Sequence, residues 1–159
     1  MAFQWPPFYF LAIIMSYQIK TFAYNSPEYT QALTLRDRVL RKPLGLQFTP
    51  EELKKDEHDL HFGLFENGTI LACLTLTTAE NGRMKMRQVA VDDSQQGKGL
   101  GRQLSVAAEE YALQNGYHTM FCHARKVAEP FYTKMGYTIV GNEFTEVNIP
   151  HYLMEKRLI

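Results

Sequence analysis

Six consecutive residues, Gln96-Gly97-Lys98-Gly99-Leu100-Gly101, separate an extended run, Met86–Val91, from an amphipathic helical pattern, and that order constrains the chain more than any other feature. Three glycines in six residues permit positive φ angles, so main-chain N–H groups can turn inward without a Cβ in the way. The start of the helix adds unpaired donors and a partial positive charge. Strand, glycine turn and helix together build a nest for phosphate or pyrophosphate.

Two familiar phosphate motifs compete for this segment, and neither fits. A Walker loop requires Gly-Lys-Ser/Thr, but Gly97-Lys98 is followed by Gly99, which leaves no hydroxyl to hold magnesium. A dinucleotide fingerprint G-x-G-x-x-G would take Gly97 and Gly99 and then meet Arg102 where its last glycine belongs. What remains is Gln96-x-x-Gly99-x-Gly101.

The rest of the chain reads as alternating strands and helices. Residues 16–23 form a first strand, and 26–40 a helix with Ser26 as N-cap, Pro27 at its first position and Glu28 in its first turn. A short second helix begins at Thr49, with Pro50, Glu51 and Glu52 behind it. Two hairpins follow. Leu60–Glu66 and Thr69–Thr78 are joined by Asn67-Gly68, and Asn81-Gly82 leads into Arg83–Val91; Asn-Gly supplies the positive φ angles of two-residue turns. Leu104, Ala107, Ala108, Tyr111 and Ala112 recur at helical spacing until Asn115-Gly116. Residues 117–123 make a short strand, and the intervening helix favours parallel pairing with the preceding strand through a right-handed crossover. Pro130 lies in a short helix that ends at Gly136, and residues 137–140 and 151–158 supply the last strands.

Against this background the motifs carry a resemblance. Gln96-x-x-Gly99-x-Gly101 resembles motif A of the GNAT superfamily of N-acyltransferases, which holds the pyrophosphate of coenzyme A. Arg87–Val91 resembles that family's fourth strand, Ala128–Tyr137 its fourth helix and following strand, and Ile149–Lys156 its closing strand. Val39–Gly45 looks like the first-helix end in small bacterial members of unassigned substrate. The similarity spans roughly residues 16–158.

The resemblance implies an α+β, three-layer fold: a GNAT-like mixed, mostly antiparallel sheet of about seven strands, with splayed parallel strands 4 and 5 and four helices. It also implies acetyl-CoA as cosubstrate, without a metal, bound by Val89, Ala90, Val91, Gln96, Gly97, Lys98, Gly99, Leu100, Gly101, Arg102 and Arg125. The pantetheine arm would enter the gap between the splayed strands and pair with main-chain groups of Val89 and Val91. Arg125 departs from the Asn or Gln of many relatives, so pairing with phosphate, with an acidic substrate or with solvent all remain open there.

The implied reaction is direct attack of a primary amine on the thioester, with no covalent enzyme intermediate. No Ser/His/Asp or activated cysteine arrangement asks for one. Tyr132 resembles the family's helix-four tyrosine, the acid for the departing thiolate. A phenol near pKa 10 facing a thiol near 8.5 makes full proton transfer uphill by roughly 2 kcal/mol, so hydrogen bonding serves as well. The base is open: Gln88 stands where some relatives carry a glutamate, which leaves a water chain, a free amine, or His58, His61 or Glu66. His118 and His123 flank strand five as packing or rim residues. Arg36, Arg41 and Phe48 would wall the acceptor pocket. A non-catalytic acyl-CoA sensor or a plain interaction domain is the alternative.

Composition frames these readings. At 159 residues the chain suits one domain with a single core. Seventeen basic residues balance seventeen acidic ones, so no global field draws the protein to nucleic acid or an anionic membrane. The same balance argues against a strongly polycationic acceptor and leaves a small-molecule or peptide amine. Locally, Arg83, Lys85, Arg87, Lys98 and Arg102 outnumber Asp92 and Asp93 around the glycine turn. Cys73 and Cys122 each sit in an apolar strand-like run as small buried hydrophobes, which suits a reducing cytoplasm. A homodimer stays open.

The N-terminus stands apart. Phe8–Met15 is apolar but no Lys or Arg precedes Lys20, so the charged n-region of a signal peptide is missing and the run is too short to span a membrane. Residues 1–15 read as an extension, arising from an upstream start codon or a cloning choice, ahead of a domain over 16–159. Deleting residues 1–14 is expected to leave folding and cofactor binding intact.

Overall fold

The computed structural model describes residues 17–159. The readings of residues 1–15 and of Ser16 lie outside the described residues. From Tyr17 onward the chain forms β1 (Tyr17–Phe22), α1 (Pro27–Arg36), α2 (Pro50–Lys54), β2 (Leu60–Glu66), β3 (Thr69–Thr78) and β4 (Arg83–Val91). Then come α3 (Leu100–Gln114), β5 (Thr119–Arg125), α4 (Glu129–Lys134), β6 (Thr138–Glu146) and β7 (Ile149–Arg157).

Local chemistry accounts for the boundaries. Ser26 Oγ accepts from the Tyr29 amide at 3.2 Å, with Pro27 behind it, and so starts α1. Thr49 and Glu52 cap α2 reciprocally: the Glu52 amide donates to Thr49 Oγ1 at 3.2 Å and the Thr49 amide to Glu52 Oε2 at 2.8 Å. Asn67 at φ 51° and Asn81 at φ 59° open the two hairpin turns in the left-handed region that two-residue loops demand.

Seven strands lie in the order β1-β2-β3-β4-β5-β7-β6, and β4–β5 is the parallel pair in an otherwise antiparallel sheet. Both faces of the sheet are covered over its first half. On one side Leu104, Ala108 and Ala112 of α3 pack against Met84, Met86, Met120, Cys122 and Met154. On the other, Ala32 and Leu35 of α1 meet Phe65, Ile70, Cys73 and Ala90. Three layers result. Leu104, 1% exposed, gains about 2 kcal/mol from burial, which is the scale at which each such contact fastens helix to sheet.

A buried ion pair fixes α1 to the segment after α2. Arg36 Nη1 donates to Asp56 Oδ2 at 2.8 Å, Tyr29 donates to the same oxygen at 2.6 Å, and both charged side chains are almost fully enclosed. His61 is locked nearby, with Nε2 2.8 Å from the Asp56 carbonyl and Nδ1 3.3 Å from Thr75 Oγ1.

Three boundaries differ from expectation. The first helix leaves α geometry at Arg36 and continues as a π-helical turn over Asp37–Arg41. Strand β5 begins at Thr119, because Tyr117 and His118 bond instead to Ala112 and Gly82. Strand β6 extends to Glu146, well past Val140. It is the edge strand and almost wholly exposed, so no buried face imposes an alternating pattern on Gly141–Glu146. Among the described residues, no helix is long and apolar enough to cross a membrane, and no group of three or more His, Cys, Asp or Glu is placed to hold a metal ion.

Candidate functional site

One extra residue opens the sheet. Between β3 and β4 the register steps from Cys73↔Ala90 to Thr75↔Arg87, so Gln88 and Val89 together stand opposite Leu74. Gln88 takes φ +54°, the mark of this bulge, and the bulge turns β4 away from its neighbour. Pairing of β4 with β5 accordingly stops at Met86↔Cys122, although β4 runs on to Val91 and β5 to Arg125. The strands splay, and the main-chain groups of β4 that face the gap have no strand partner among the described residues.

The gap widens into two lobes of about 540 Å³ each. Val89, Ala128 and Tyr132 belong to both. One lobe runs along the glycine turn and the start of α3. The other opens beneath α2 and the π-helical turn.

The first lobe is built mostly from backbone. Asp92 Oδ1 accepts from the Ser94 amide at 3.0 Å and the Ser94 hydroxyl at 2.7 Å, and these bonds hold its carboxyl below the usual aspartate range. That turn delivers the chain to Gly97 (φ +82°) and Gly99 (φ +77°). An added Cβ at either glycine would meet nothing within 4 Å, so backbone angle, not space, selects glycine there. Gly101 answers to the opposite constraint. A Cβ on it would lie 3.1 Å from Val91 Cγ2, and its absence lets α3 sit close to β4.

No side chain caps α3, whose N-cap is Gly99. Its first-turn amides therefore keep their hydrogen-bonding capacity for something else. Gln96 Nε2 donates to Asp93 Oδ1 at 3.1 Å and Lys98 Nζ to Gln95 Oε1 at 3.1 Å, side-chain bonds that fasten the loop to itself without using its amides. A concave run of free amides at a helix start fits a diphosphate, with no Cβ to obstruct it.

Of the residues expected to hold the cofactor, Val89, Val91, Gln96, Gly97, Gly99, Leu100, Gly101 and Arg102 line this lobe. Three others do not. The Ala90 side chain is buried against α1, Lys98 is exposed on the outer side of the loop, and Arg125 lines the second lobe. Val39, Phe131 and Met135 add apolar wall that the glycine spacing gave no sign of.

Tyr132 stands at the junction, 7% exposed, packed edge-on to Phe131 and Tyr137. Burial drives its pKa far above the ordinary phenol value, and the neighbouring Cys122 pushes the same way. The hydroxyl therefore keeps its proton over all practical pH. Burial likewise pushes the Cys73 and Cys122 thiols up to about 12. Neither is a nucleophile.

The second lobe is built from side chains of distant segments. Leu40 and Arg41 come from the π-helical turn, Glu52 from α2, Thr77 from β3, Lys85 and Arg87 from β4, His123 and Arg125 from β5. Arg41 is held by Glu52 through bonds of 2.9 and 3.3 Å and stacks on Phe48, with its guanidinium carbon 4.1 Å from the ring centre. Arg87 donates to Asp59 at 2.9 Å and to Thr77 Oγ1 at 3.2 Å. Arg125 donates to the Leu40 carbonyl and so ties β5 to the π-helical turn.

His123 and His151 both line this lobe. His123 Nδ1 lies 3.0 Å from Glu146 Oε1 and 3.4 Å from Lys85 Nζ. A carboxylate can only accept, so the contact with Glu146 is made with Nδ1 carrying the proton, which leaves Nε2 as the other ring nitrogen. Glu146 also lies 3.8 Å from His151 Nε2. His58, His61 and Glu66 line neither lobe, and His61 is spent on its structural bonds. Arg36 is buried in its pair with Asp56 and is no pocket wall, while Phe48 borders a separate groove beside Leu33 and Leu53. No local pattern marked His123, whose neighbours in the lobe are assembled by the β4–β5, β5–β7 and β6–β7 pairings.

A mixed sheet parted at its parallel pair, with a backbone nest where the next helix begins, is the architecture of an acyl-coenzyme A-dependent acyltransferase. The chain belongs to the GNAT acetyltransferase family, whose domain model matches residues 28–158. Among curated relatives, the uncharacterised N-acetyltransferase YjcF of Bacillus subtilis (strain 168) is 26% identical over 135 residues, which is 84% of this chain and 96% of that one. The uncharacterised protein YyaT of the same organism is 32% identical over 74 residues, 46% of this chain and half of that protein. A crystal structure of a candidate N-acetyltransferase from Lactobacillus plantarum superposes with a TM-score of 0.82 at 25% identity, over 91% of this chain and 99% of that one. An aminoglycoside 6'-N-acetyltransferase crystallised with coenzyme A shares the fold at a TM-score of 0.76 and 16% identity, over 89% and 97% of the two chains.

Proposed function

We propose that this protein transfers an acetyl group from acetyl-CoA to a primary amine by direct attack, without a covalent enzyme intermediate. The observation that carries the reading is the two-lobed cleft: a backbone nest on one side, a polar pocket on the other, and Tyr132 where they meet. Acetyl-CoA supplies an activated thioester when bound. The chain's own groups do the rest.

Amides between Gln96 and Arg102 hold the diphosphate, and the unpaired main chain at Val89 and Val91 holds the pantetheine arm in the splay. A β4 amide beside the bulge donates to the carbonyl oxygen as negative charge develops on it, the kind of preorganised donor worth several kcal/mol of barrier. As the amine nitrogen bonds to the carbonyl carbon and the carbon–sulfur bond breaks, Tyr132 donates a hydrogen bond to the departing sulfur. Its raised pKa makes complete proton transfer costlier than the roughly 2 kcal/mol of an ordinary phenol, so it stabilises the thiolate while keeping its proton. The proton lost by the amine goes to His123 Nε2, which Glu146 keeps in the accepting tautomer.

Thiol release from acetyl-CoA over a mixed amine panel tests the reading. Both protein cysteines are buried with raised pKa, so a thiol reagent reports coenzyme alone. Tight binding with no release above background for any amine would leave a sensor. Failure of acetyl-CoA to raise the melting temperature would leave an interaction domain. Two unpaired thiols also support a reducing cytoplasm as its location. The functional domain is residues 16–159, and a chain lacking residues 1–14 should bind and turn over as the full chain does.

A further inference from the structure

The second lobe carries more positive charge than its own walls neutralise. Arg41, Lys55, Lys85, Arg87 and Arg125 line it, against the carboxylates of Glu52 and Glu146. Arg41 is matched by Glu52 and Arg87 by Asp59, each at 2.9 Å. Glu146 is engaged by His123 and His151. Among the described residues no carboxylate pairs with Lys55, Lys85 or Arg125.

Lys85 and Arg125 are poised on either side of His123. Lys85 Nζ is 3.4 Å from His123 Nδ1, and Arg125 follows His123 by two residues on the same face of β5, about 7 Å along the strand. Arg125 uses one donor on the Leu40 carbonyl and keeps the others of its guanidinium. Both side chains are partly buried, and burial lowers the pKa of each; Glu146 works against that shift at Lys85 without pairing with it, and nearby Arg41 adds to it at Arg125. None of Lys55, Lys85 and Arg125 lines the lobe with the glycine nest, so the coenzyme diphosphate is not their partner.

We propose that the acceptor is an amine that also carries an anionic group, a carboxylate or a phosphate, seated against Lys85 and Arg125 with exposed Lys55 at the rim. The proposal rests on the N-acetyltransferase reading above. It also gives the cations a second effect. Positive charge around the bound substrate disfavours its ammonium form and raises the share of free amine available to attack.

Matched substrate pairs test this. Initial rates of thiol release are measured for 4-aminobutyrate against 4-aminobutanamide, for free amino acids against their amides, and for phosphoethanolamine against ethanolamine. The expected result is a kcat/KM about tenfold or more higher for the anionic member, with the pair that shows it naming carboxylate or phosphate as the anion. Lys85→Gln should bring the ratio down to about threefold or less, Arg125→Gln should lower it as well, and Lys85→Arg should restore it. Circular dichroism and stabilisation by acetyl-CoA confirm that each variant is folded. Neutral or cationic members that react equally well, or a ratio untouched by both glutamine variants, overturn the anionic acceptor and leave the transferase intact. Absence of release from every amine, while acetyl-CoA still raises the melting temperature, overturns the transferase reading itself.

Discussion

The two lobes of the cleft are equal in volume and opposite in construction. The nest is contiguous chain, Gln95 to Arg102, acting through its backbone. The second lobe is a meeting of side chains from the π-helical turn, α2, β3, β4, β5 and the β6–β7 corner, brought together by long-range pairing. A backbone site depends on φ angles, so it tolerates most side-chain changes and fails at a few positions. A side-chain site degrades at many positions, each by a little.

The sharpest way to break that contrast is at Gly99. A valine there must adopt φ +77° with a branched Cβ, strain of order 1–3 kcal/mol that would be relieved by collapsing the nest. Gly99→Val should therefore weaken coenzyme A binding about 30- to 100-fold by calorimetry, with the far-ultraviolet spectrum unchanged. Binding within threefold of the parent would put the amides of the nest out of the cofactor's reach. At the junction, Tyr132→Phe should lower turnover about tenfold or more while acetyl-CoA affinity stays nearly constant. Equal turnover would remove the hydroxyl from the reaction.

The pH profile separates the halves again. Because burial raises the Tyr132 pKa, the hydroxyl keeps its proton and no alkaline fall in kcat should come from it up to about pH 10. The acid limb should instead follow protonation of the attacking amine, and His123→Gln should lower kcat/KM about tenfold or more at pH values where that amine is free. A descending alkaline limb that vanishes in Tyr132→Phe would contradict this. The smallest effect belongs to Arg41→Gln. Hydrogen bonds from Arg41 hold the Glu52 carboxyl below its ordinary value, so the pair stabilises the fold above about pH 4.5 and loses that as pH falls. Glu52 is about a third exposed, so thermal unfolding should register less than about 1 kcal/mol at pH 7 and nothing in strong acid.

The same contrast explains what the sequence made legible. Glycine spacing, Asn-Gly turns and Ser26 and Thr49 caps are local signals with local causes, and they located the hairpins, the helix starts and the glycine turn to within a residue or two. His123 carried no such signal. It sits in an ordinary strand pattern and becomes part of a pocket only when β7 and β6 bring Glu146 to it. Arg36 misled for the complementary reason: a cation near a helix end reads as a pocket wall until its partner Asp56, twenty residues away, is seen to enclose it. The long β6 was hidden because an edge strand open on both faces has no alternation to display.

Among the described residues, Val89, Ala128 and Tyr132 alone line both lobes. So narrow a seam makes the halves separable as engineering parts. On the proposed function, loops grafted onto the π-helical turn, α2 or the β6–β7 corner would redirect which molecule is modified, while the glycine-turn lobe is carried over untouched.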